Sequence, residues 1–146
     1  MDVAVRETRN GNGIIALRDF NAGEDIYEVT GVYISGDAED DIDVTTRNNT
    51  FRFDKDRYIS PRGEIGDMQN HSCEPNARVE KRDERLYVVA AAPIVAGDEV
   101  LIDYSTILAS DDIWEMECAC GSRMCRGIIR RFETLPKKLR IQYVRE

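Results

Sequence analysis

Apolar and polar residues alternate in short segments along most of this chain. β-Branched and aromatic residues recur at every second position, and clusters of Gly, Asn, Asp and Pro separate the segments, which is typical of short strands joined by turns. The pattern predicts strands over residues 3–6, 13–17, 25–29, 32–34, 50–53, 57–60, 77–81, 86–92 and 100–104. We therefore expect a mostly β fold built of small curved sheets.

A helix is predicted in the tail of the chain. After Pro136, the residues Leu139 and Tyr143 fall on one helical face, four positions apart. Two turns carry strong local signals: residues 10–13, Asn-Gly-Asn-Gly, are expected to join the first two strands, and residues 83–84 are expected to join two later ones.

Length and hydropathy set broad limits. The 146 residues are enough for one domain with a working core. No apolar run approaches the ~20 residues of a membrane span, and no signal peptide opens the chain. We therefore expect a soluble intracellular protein without membrane contact, in the cytoplasm, with the nucleus as the alternative. Residues 35–49 are polar and acidic and are expected to form an exposed insertion.

Charge narrows the class of partner. Acidic residues outnumber basic ones by 28 to 20, for a formal net charge of -8. A nucleic-acid binder would need a surplus of Lys and Arg to displace counterions, so direct nucleic-acid binding is not expected. An acidic body suits a basic protein partner better. Taken alone, the acidic run 37–43 and the basic residues between 123 and 145 are most simply solvated surfaces.

Candidate chemistry is concentrated in residues 70–76, Asn-His-Ser-Cys-Glu-Pro-Asn. This segment holds the only His of the chain, and Pro75 rules out a continuous helix, so a loop is predicted. A single His excludes the His pairs of metal hydrolases, and a Cys-His protease would need His71 to act on Cys73, two residues away. A lone His is otherwise most often a hydrogen-bonded structural residue. Asn76 is expected to brace the loop or simply to form its turn.

The four cysteines have the spacing of a metal site. Cys118-x-Cys120-x4-Cys125 offers three thiolates from one tight loop, and a structural tetrahedral zinc site needs four ligands. Cys73 is the one remaining cysteine. A zinc ion bound by all four would join residues 118–125 to the 70–76 loop, and a closed four-thiolate site would be structural. A cluster completed by water, or buried free thiols, are the alternatives.

The segment 70–76 resembles the Asn-His-Ser-Cys-x-Pro-Asn signature of SET-domain methyltransferases, and other segments are similar to further motifs of that family. These are Gly11-Asn12-Gly13, residues 22–31, residues 96–104 ending in Tyr104, and residues 118–127, which are similar to the post-SET zinc cluster. The matches keep the order of the family over roughly residues 3–128. The resemblance implies a SET-domain fold over residues 1–108 with a knot-like C-terminal segment, a post-SET zinc loop over 109–130, and a short helical tail over 131–146.

The resemblance also implies roles for individual residues. Zn²⁺ is expected to bind as a structural ion, and S-adenosylmethionine as the methyl donor. Tyr104 is the expected catalytic residue, whose hydroxyl would help orient a neutral lysine amine at a near-attack distance of ~3–3.5 Å without a general base. The expected cofactor contacts are Gly11, Asn12, Gly13, Asn70, His71 and Tyr104, and the expected zinc ligands are Cys73, Cys118, Cys120 and Cys125.

Two residues depart from the family pattern. Val29 stands where many members have a Tyr in the lysine channel, and Asp67 stands where an Arg often contacts the cofactor. A compensating hydroxyl could come from Tyr27, Tyr33 or Tyr58. We expect an S-adenosylmethionine-dependent protein-lysine N-methyltransferase acting on a histone or another basic protein. The first alternative is a weak or inactive SET-like module that binds a basic peptide, and the second is a small-molecule amine methyltransferase.

Overall fold

A computed structural model describes residues 1–9, 11–35, 49–108 and 115–145 of the chain. The mostly β prediction is confirmed, since these ranges contain twelve short strands and one α-helix. The strands are β1 (Val3–Thr8), β2 (Gly11–Ala16), β3 (Asp25–Val29), β4 (Val32–Ser35), β5 (Phe51–Arg52), β6 (Arg57–Ser60), β7 (Asn70–His71), β8 (Ala77–Arg82), β9 (Arg85–Ala90), β10 (Leu101–Ile102), β11 (Met116–Glu117) and β12 (Ile128–Ile129), and the helix is α1 (Lys137–Arg145). Within the described ranges, no helix combines the length and the apolar character needed to cross a membrane.

The strands form five small sheets. Strands β1 and β2 form a hairpin, β3-β9-β8 and β4-β6-β5 are three-stranded antiparallel sheets, β7 pairs with β10 in parallel, and β11 pairs with β12. The turn between β8 and β9 lies at Asp83 and Glu84, as the sequence predicts. Both residues have positive φ, 50° and 60°, as a two-residue hairpin turn of matching twist requires.

One apolar core lies between the sheets. It takes the inward side chains of the first hairpin, of β3 and β9, and of the strand segment that ends in β10, and among these Ile14, Val88, Val100 and Ile102 are fully buried. Because side chains alternate across a strand, residues two positions apart, such as Ile14 and Ala16 on β2, point into this core together. An isolated bridge between Ile15 and Glu99 attaches the hairpin to the segment that leads into β10, and a second, between Phe20 and Ile94, attaches the residues that follow the hairpin.

Two local predictions are wrong, and one lies outside the described residues. Gly11 to Gly13 belong to strand β2, because the pairing of β1 with β2 continues to the Thr8–Gly11 pair. Tyr104 does not end a strand: β10 stops at Ile102, and Tyr104–Ile107 form a 3₁₀ turn. The side chain of Asp103 starts this turn by accepting a hydrogen bond from the Ser105 backbone N–H, at 3.0 Å. Most of the predicted acidic insertion, residues 36–48, lies outside the described residues.

A buried carboxylate joins the C-terminal part of the chain to this turn. Asp103 is 1% exposed. Its Oδ1 and Oδ2 accept hydrogen bonds of 2.7 and 2.9 Å from the guanidinium of Arg126, and Oδ2 also accepts one of 2.7 Å from the hydroxyl of Tyr143 on helix α1. Helix α1 confirms the predicted tail helix. Its Tyr143 binds Asp103, the residue that precedes Tyr104.

Replacing Gly31 by Ala is expected to lower the free energy of unfolding by about 1–3 kcal/mol more than replacing Gly63 by Ala. A Cβ at Gly31, between β3 and β4, would lie 2.0 Å from the Ser60 carbonyl oxygen, whereas a Cβ at Gly63 would meet no atom within 4 Å. Gly63 has φ +85°, so Ala there is disfavoured by the backbone alone. Urea unfolding of both variants measures the difference, and equal losses would contradict the close packing at Gly31.

Replacing Arg126 by Met is expected to lower the free energy of unfolding by about 3–5 kcal/mol, because it leaves the buried Asp103 carboxylate without its counter-charge. Arg130→Met is the matched control. Arg130 pairs with Glu115 at 3.1 Å, but both side chains are about half exposed, and such a pair contributes about 0–1 kcal/mol. Urea unfolding of the zinc-loaded variants would contradict the role of Asp103 if the two losses were alike.

Candidate active site and metal centre

The loop 72–76 is held against β10 by backbone and amide hydrogen bonds. Strand β7, just before it, pairs with β10, and Ser72 N–H donates to the Ile102 carbonyl at 2.9 Å. Asn76 braces the loop, which is one of the two roles that the sequence predicts for it. Its Nδ2 donates to the Glu99 carbonyl and its Oδ1 accepts from Leu101 N–H, both at 2.9 Å. These contacts fix the loop that carries Cys73.

The structure brings Asn70 to the Gly-x-Gly segment. Asn70 Nδ2 donates to the Asn12 carbonyl at 3.0 Å and to Glu99 Oε1 at 2.8 Å. A Cβ at Gly13 would lie 2.2 Å from Glu99 Oε1 and 2.9 Å from Asn70 Nδ2, so a side chain there would displace Glu99 and Asn70. Gly11, by contrast, is exposed and has open space around it. Two predicted cofactor motifs, far apart in sequence, therefore meet at Gly13.

His71 is buried and has a defined tautomer. Its Nδ1 accepts a hydrogen bond from Tyr104 N–H at 2.9 Å, and its Nε2 lies 3.3 Å from Cys73 Sγ. Burial lowers the pKa of His71 to about 4, and the charge of Asp103 only partly opposes this. The ring is therefore neutral at pH 7, and because Nδ1 is an acceptor, the single ring proton lies on Nε2 and faces the sulfur.

The hydroxyl of Tyr104 points at the backbone of Gln69. It donates to the Gln69 carbonyl oxygen. Burial and the nearby Glu99 raise the pKa of Tyr104, so the hydroxyl stays protonated at neutral pH and acts as a hydrogen-bond donor. The His71 and Tyr104 rings lie 5.1 Å apart between centroids, so the two residues form one compact group.

Three residues of this site escaped the sequence analysis. Gln69 receives the Tyr104 hydroxyl, Glu99 binds Asn70, and Asp103 starts the turn that carries Tyr104. Asp103 follows the apolar run 100–102, which is a sequence signal for a buried polar role, whereas Gln69 stands among polar residues and carries no such signal. The partners of Asp103 cannot be read from that signal.

The structure also gathers potential metal ligands. The donor atoms of His71, Cys73, Cys118 and Cys120 all lie within 4.8 Å of one another. Cys73 Sγ and Cys118 Sγ are 3.8 Å apart, which is about the separation of two thiolates bound to one tetrahedral zinc ion at about 2.3 Å each. The donor set is compatible with zinc.

The fourth predicted cysteine, Cys125, lies beside this group. Its thiol interacts with those of Cys118 and Cys120, and its Sγ is 3.6 Å from the Cys118 carbonyl oxygen. The segment 118–127, which we call the cysteine loop, lies between the paired strands β11 and β12. Near its end, the Arg126 N–H lies 3.4 Å from Cys73 Sγ. Cys73 Sγ is therefore close both to Cys118 and to the backbone of Arg126.

A cleft of about 350 Å³ opens between strand β7, Tyr104 and the cysteine loop. This is within the usual range for small-molecule sites. Its walls are Asn49, Asn70, His71, Tyr104, Met116, Glu117, Cys118, Ala119 and Cys120. A hydrogen bond connects the cysteine loop to the residue that follows β1: Arg9 Nη1 donates to the Cys120 carbonyl at 3.2 Å.

The structure also locates the departing residues. Val29 is buried and packs beside Gly66, and Asp67 accepts a hydrogen bond of 3.1 Å from Asn49 Nδ2. Among the three tyrosines considered as compensating hydroxyls, Tyr33 is half exposed and Tyr58 binds Arg52. Tyr27 is buried, and its hydroxyl donates to Gln69 Oε1 at 2.7 Å.

Comparison with known proteins places this site in a family. A family model described as SET domain matches residues 11–105, more than half of the chain. The chain is 31% identical over 133 residues to a histone-lysine N-methyltransferase, H3 lysine-36 specific, of Yarrowia lipolytica, with 83% of this chain and 17% of that protein covered. It is 28% identical over 134 residues to a histone-lysine N-methyltransferase, H3 lysine-4 specific, of Cryptococcus neoformans, covering 84% of this chain and 9% of that protein.

A solved structure has the same fold. The structure of KRYPTONITE in complex with mCHH DNA, H3(1-15) peptide and SAH aligns with a TM-score of 0.68 at 22% identity, over 88% of this chain and 29% of that one. The chain therefore spans only a small part of the relatives that it matches. The resemblance stated from the motifs is confirmed, and the chain belongs to the SET-domain family.

Proposed function

We propose that this chain is an S-adenosylmethionine-dependent protein-lysine N-methyltransferase. The observation that carries the proposal is the cleft lined by Asn70, His71 and Tyr104. Asn70 in turn contacts the Gly-x-Gly segment at Asn12 and Gly13. The names of the relatives support the same chemistry. In this proposal residues 1–108 are the SET domain, 109–130 the post-SET segment and 131–146 a helical tail.

The donor would bind in the cleft beside strand β7. A fit is supported by the close approach at Gly13, where a side chain would occupy the space between β2, Asn70 and Glu99. Gly11, Asn12 and Gly13 would offer backbone groups, and Asn70, His71 and Tyr104 would form the opposite wall. When bound, S-adenosylmethionine supplies an electrophilic methyl group. The remaining catalytic work is orientation and exclusion of water by the residues of this chain.

Tyr104 would act as an orienting group. Its hydroxyl is kept protonated by burial and is directed by the Gln69 carbonyl. The acceptor must be a neutral amine, and a desolvated site lowers the pKa of a lysine. A hydroxyl oxygen and backbone carbonyls can hold such an amine by its N–H groups. No residue of this set is needed as a general base, and His71 already uses both ring nitrogens.

A structural zinc ion would complete the site through Cys73, Cys118, Cys120 and Cys125. The His71 tautomer supports this set over one with His71 as a ligand, because a protonated Nε2 has no lone pair for a metal. His71 would instead donate a hydrogen bond to the Cys73 thiolate, the supporting role that outer groups often have at metal sites. Four thiolates leave no open position, so the ion would hold the cysteine loop against β7 and the 72–76 loop.

The proposed substrate is a basic protein or peptide that presents a lysine. The formal net charge of -8 supports a basic partner. The relatives are named for lysines of histone H3, and the KRYPTONITE structure contains an H3 peptide, which favours a histone-type sequence. The absence of direct nucleic-acid binding and the cytoplasmic localisation stay predictions.

A SET-like module that binds a basic peptide without methyl transfer is the second candidate. Two residues favour it. Val29 is buried and brings no hydroxyl to the expected lysine channel, and Asp67 accepts a hydrogen bond from Asn49. The two candidates differ in whether label moves from donor to lysine. A small-molecule amine methyltransferase would instead label amines without a protein substrate.

Zinc-loaded protein with radiolabelled S-adenosylmethionine is expected to label lysine in histone H3 or another basic protein. Tyr104→Phe should lower the rate roughly 100-fold, since one preorganised hydroxyl is removed. Tyr87→Phe is the control, because Tyr87 lies on β9 with its ring under Arg82, and it should keep the full rate. No cofactor binding by calorimetry together with no transfer to any protein would favour the binding module. Label on free amines alone would favour the small-molecule amine methyltransferase.

One zinc ion per chain is expected by elemental analysis. Cys118→Ser should strongly weaken its binding, because only three of the four thiolates remain. The fourth ligand is tested by comparing Cys125→Ser with His71→Asn. If Cys125 is the ligand, only the first variant should change the visible spectrum of the Co²⁺-substituted protein from that of four thiolates. The opposite pattern would make His71 the ligand.

A further inference from the structure

We propose that Tyr27 and Gln69 form a positioning pair that aims the hydroxyl of Tyr104. The inference rests on the proposed function and adds two residues to it. Two tyrosine hydroxyls converge on Gln69 from different elements: Tyr104 donates to its backbone carbonyl, and Tyr27, on β3, donates to its side-chain Oε1 at 2.7 Å. Tyr27 acts through Gln69 and is not itself a catalytic residue.

The side-chain amide of Gln69 is hydrogen-bonded through both N–H groups and through its oxygen. Gln69 is 5% exposed. Its Nε2 donates to the Val100 carbonyl at 2.8 Å and to the Asn70 carbonyl at 2.9 Å, while Oε1 accepts from Tyr27. A buried amide is strongly disfavoured unless it is bonded, so these three partners leave it one orientation.

This arrangement also fixes the backbone of Gln69. The bond to Val100 reaches the segment before β10, and the bond to Asn70 holds the following peptide group. On the other side, Gln69 N–H donates to the Gly66 carbonyl at 3.2 Å. The Gln69 carbonyl that receives the Tyr104 hydroxyl is therefore held from both directions.

Tyr27 reaches this amide because of its place on β3. Tyr27 and Val29 are two residues apart and both are buried, so they lie on the same face of the strand. Val29 carries no hydroxyl, and the polar group on this face comes from Tyr27 instead. Burial and the nearby Tyr104 raise the pKa of Tyr27, so its hydroxyl stays a donor. The ring of Tyr27 packs in the apolar core, and its hydroxyl binds Gln69.

The positioning pair should affect the direction of the Tyr104 hydroxyl more than the binding of donor or peptide. The hydrogen bond to the Gln69 carbonyl sets the direction of the Tyr104 hydroxyl, which in the proposed function meets the incoming amine. A shift of the carbonyl would rotate this hydroxyl, and an error of about 1 Å can cost on the order of 100-fold in rate. The pair should therefore affect kcat and leave the KM for donor and peptide nearly unchanged.

The test compares Tyr27→Phe, Gln69→Met and the control Tyr87→Phe in the zinc-loaded full chain. Tyr27→Phe and Gln69→Met should each lower kcat roughly 10- to 100-fold with little change in KM, while Tyr87→Phe should not. In a Tyr104→Phe background, Tyr27→Phe should have no further effect, because the hydroxyl it aims is gone. A loss of the same size in both backgrounds, or a loss in KM alone, would reduce Tyr27 to a core residue and overturn the proposal.

A spectroscopic readout keeps the inference testable if no substrate is labelled. The Tyr104 resonance in protein with ¹³Cζ-labelled tyrosine, assigned through Tyr104→Phe, should shift in Tyr27→Phe and stay in place in Tyr87→Phe. An unchanged Tyr104 resonance in Tyr27→Phe would overturn the positioning pair. A shifted resonance in a protein that transfers no methyl group would uphold the pair and count against the proposed function alone.

Discussion

The buried carboxylate of Asp103 is the contact on which the C-terminal half of the structure depends. A charge at 1% exposure is tolerated only with close partners, and Asp103 has the bidentate Arg126, the Tyr143 hydroxyl and the Ser105 N–H. These partners come from the cysteine loop, helix α1 and the 3₁₀ turn. One side chain therefore joins three segments, and it directly precedes Tyr104.

The cysteine thiols connect the same segments through a second set of contacts. Cys73 comes from the loop that β10 supports, while Cys118 and Cys120 come from the segment that ends at Arg126. A metal ion here would link the segments that Asp103 links by charge, and the binding free energy of a structural ion contributes directly to folding. Because Arg126 touches both Cys73, through its N–H, and Asp103, through its guanidinium, the two anchors should form cooperatively.

The sequence predicts the elements better than their contacts, for a physical reason. Strands β3 and β6 have the predicted bounds because a period of two is a local signal. Gly13, Asn70 and Tyr104 were found through motifs, whereas Gln69 and Asp103 were not, since their partners lie 42 and 23 residues away. The strand predicted through Tyr104 failed because the Asp103 side chain competes with the strand by capping a turn.

Tyr27, His71 and Tyr104 share one electrostatic property, which is that none of the three changes charge near neutral pH. Burial keeps Tyr27 and Tyr104 protonated by raising each pKa, and it keeps His71 neutral by lowering its pKa to about 4. These three groups are thus fixed donors and acceptors that need not reorganise during a reaction. In the proposed methyl transfer to lysine, the titrating group would then be the substrate amine. The rate should rise with pH as that amine loses its proton, and the protein contributes the geometry in which the neutral form reacts.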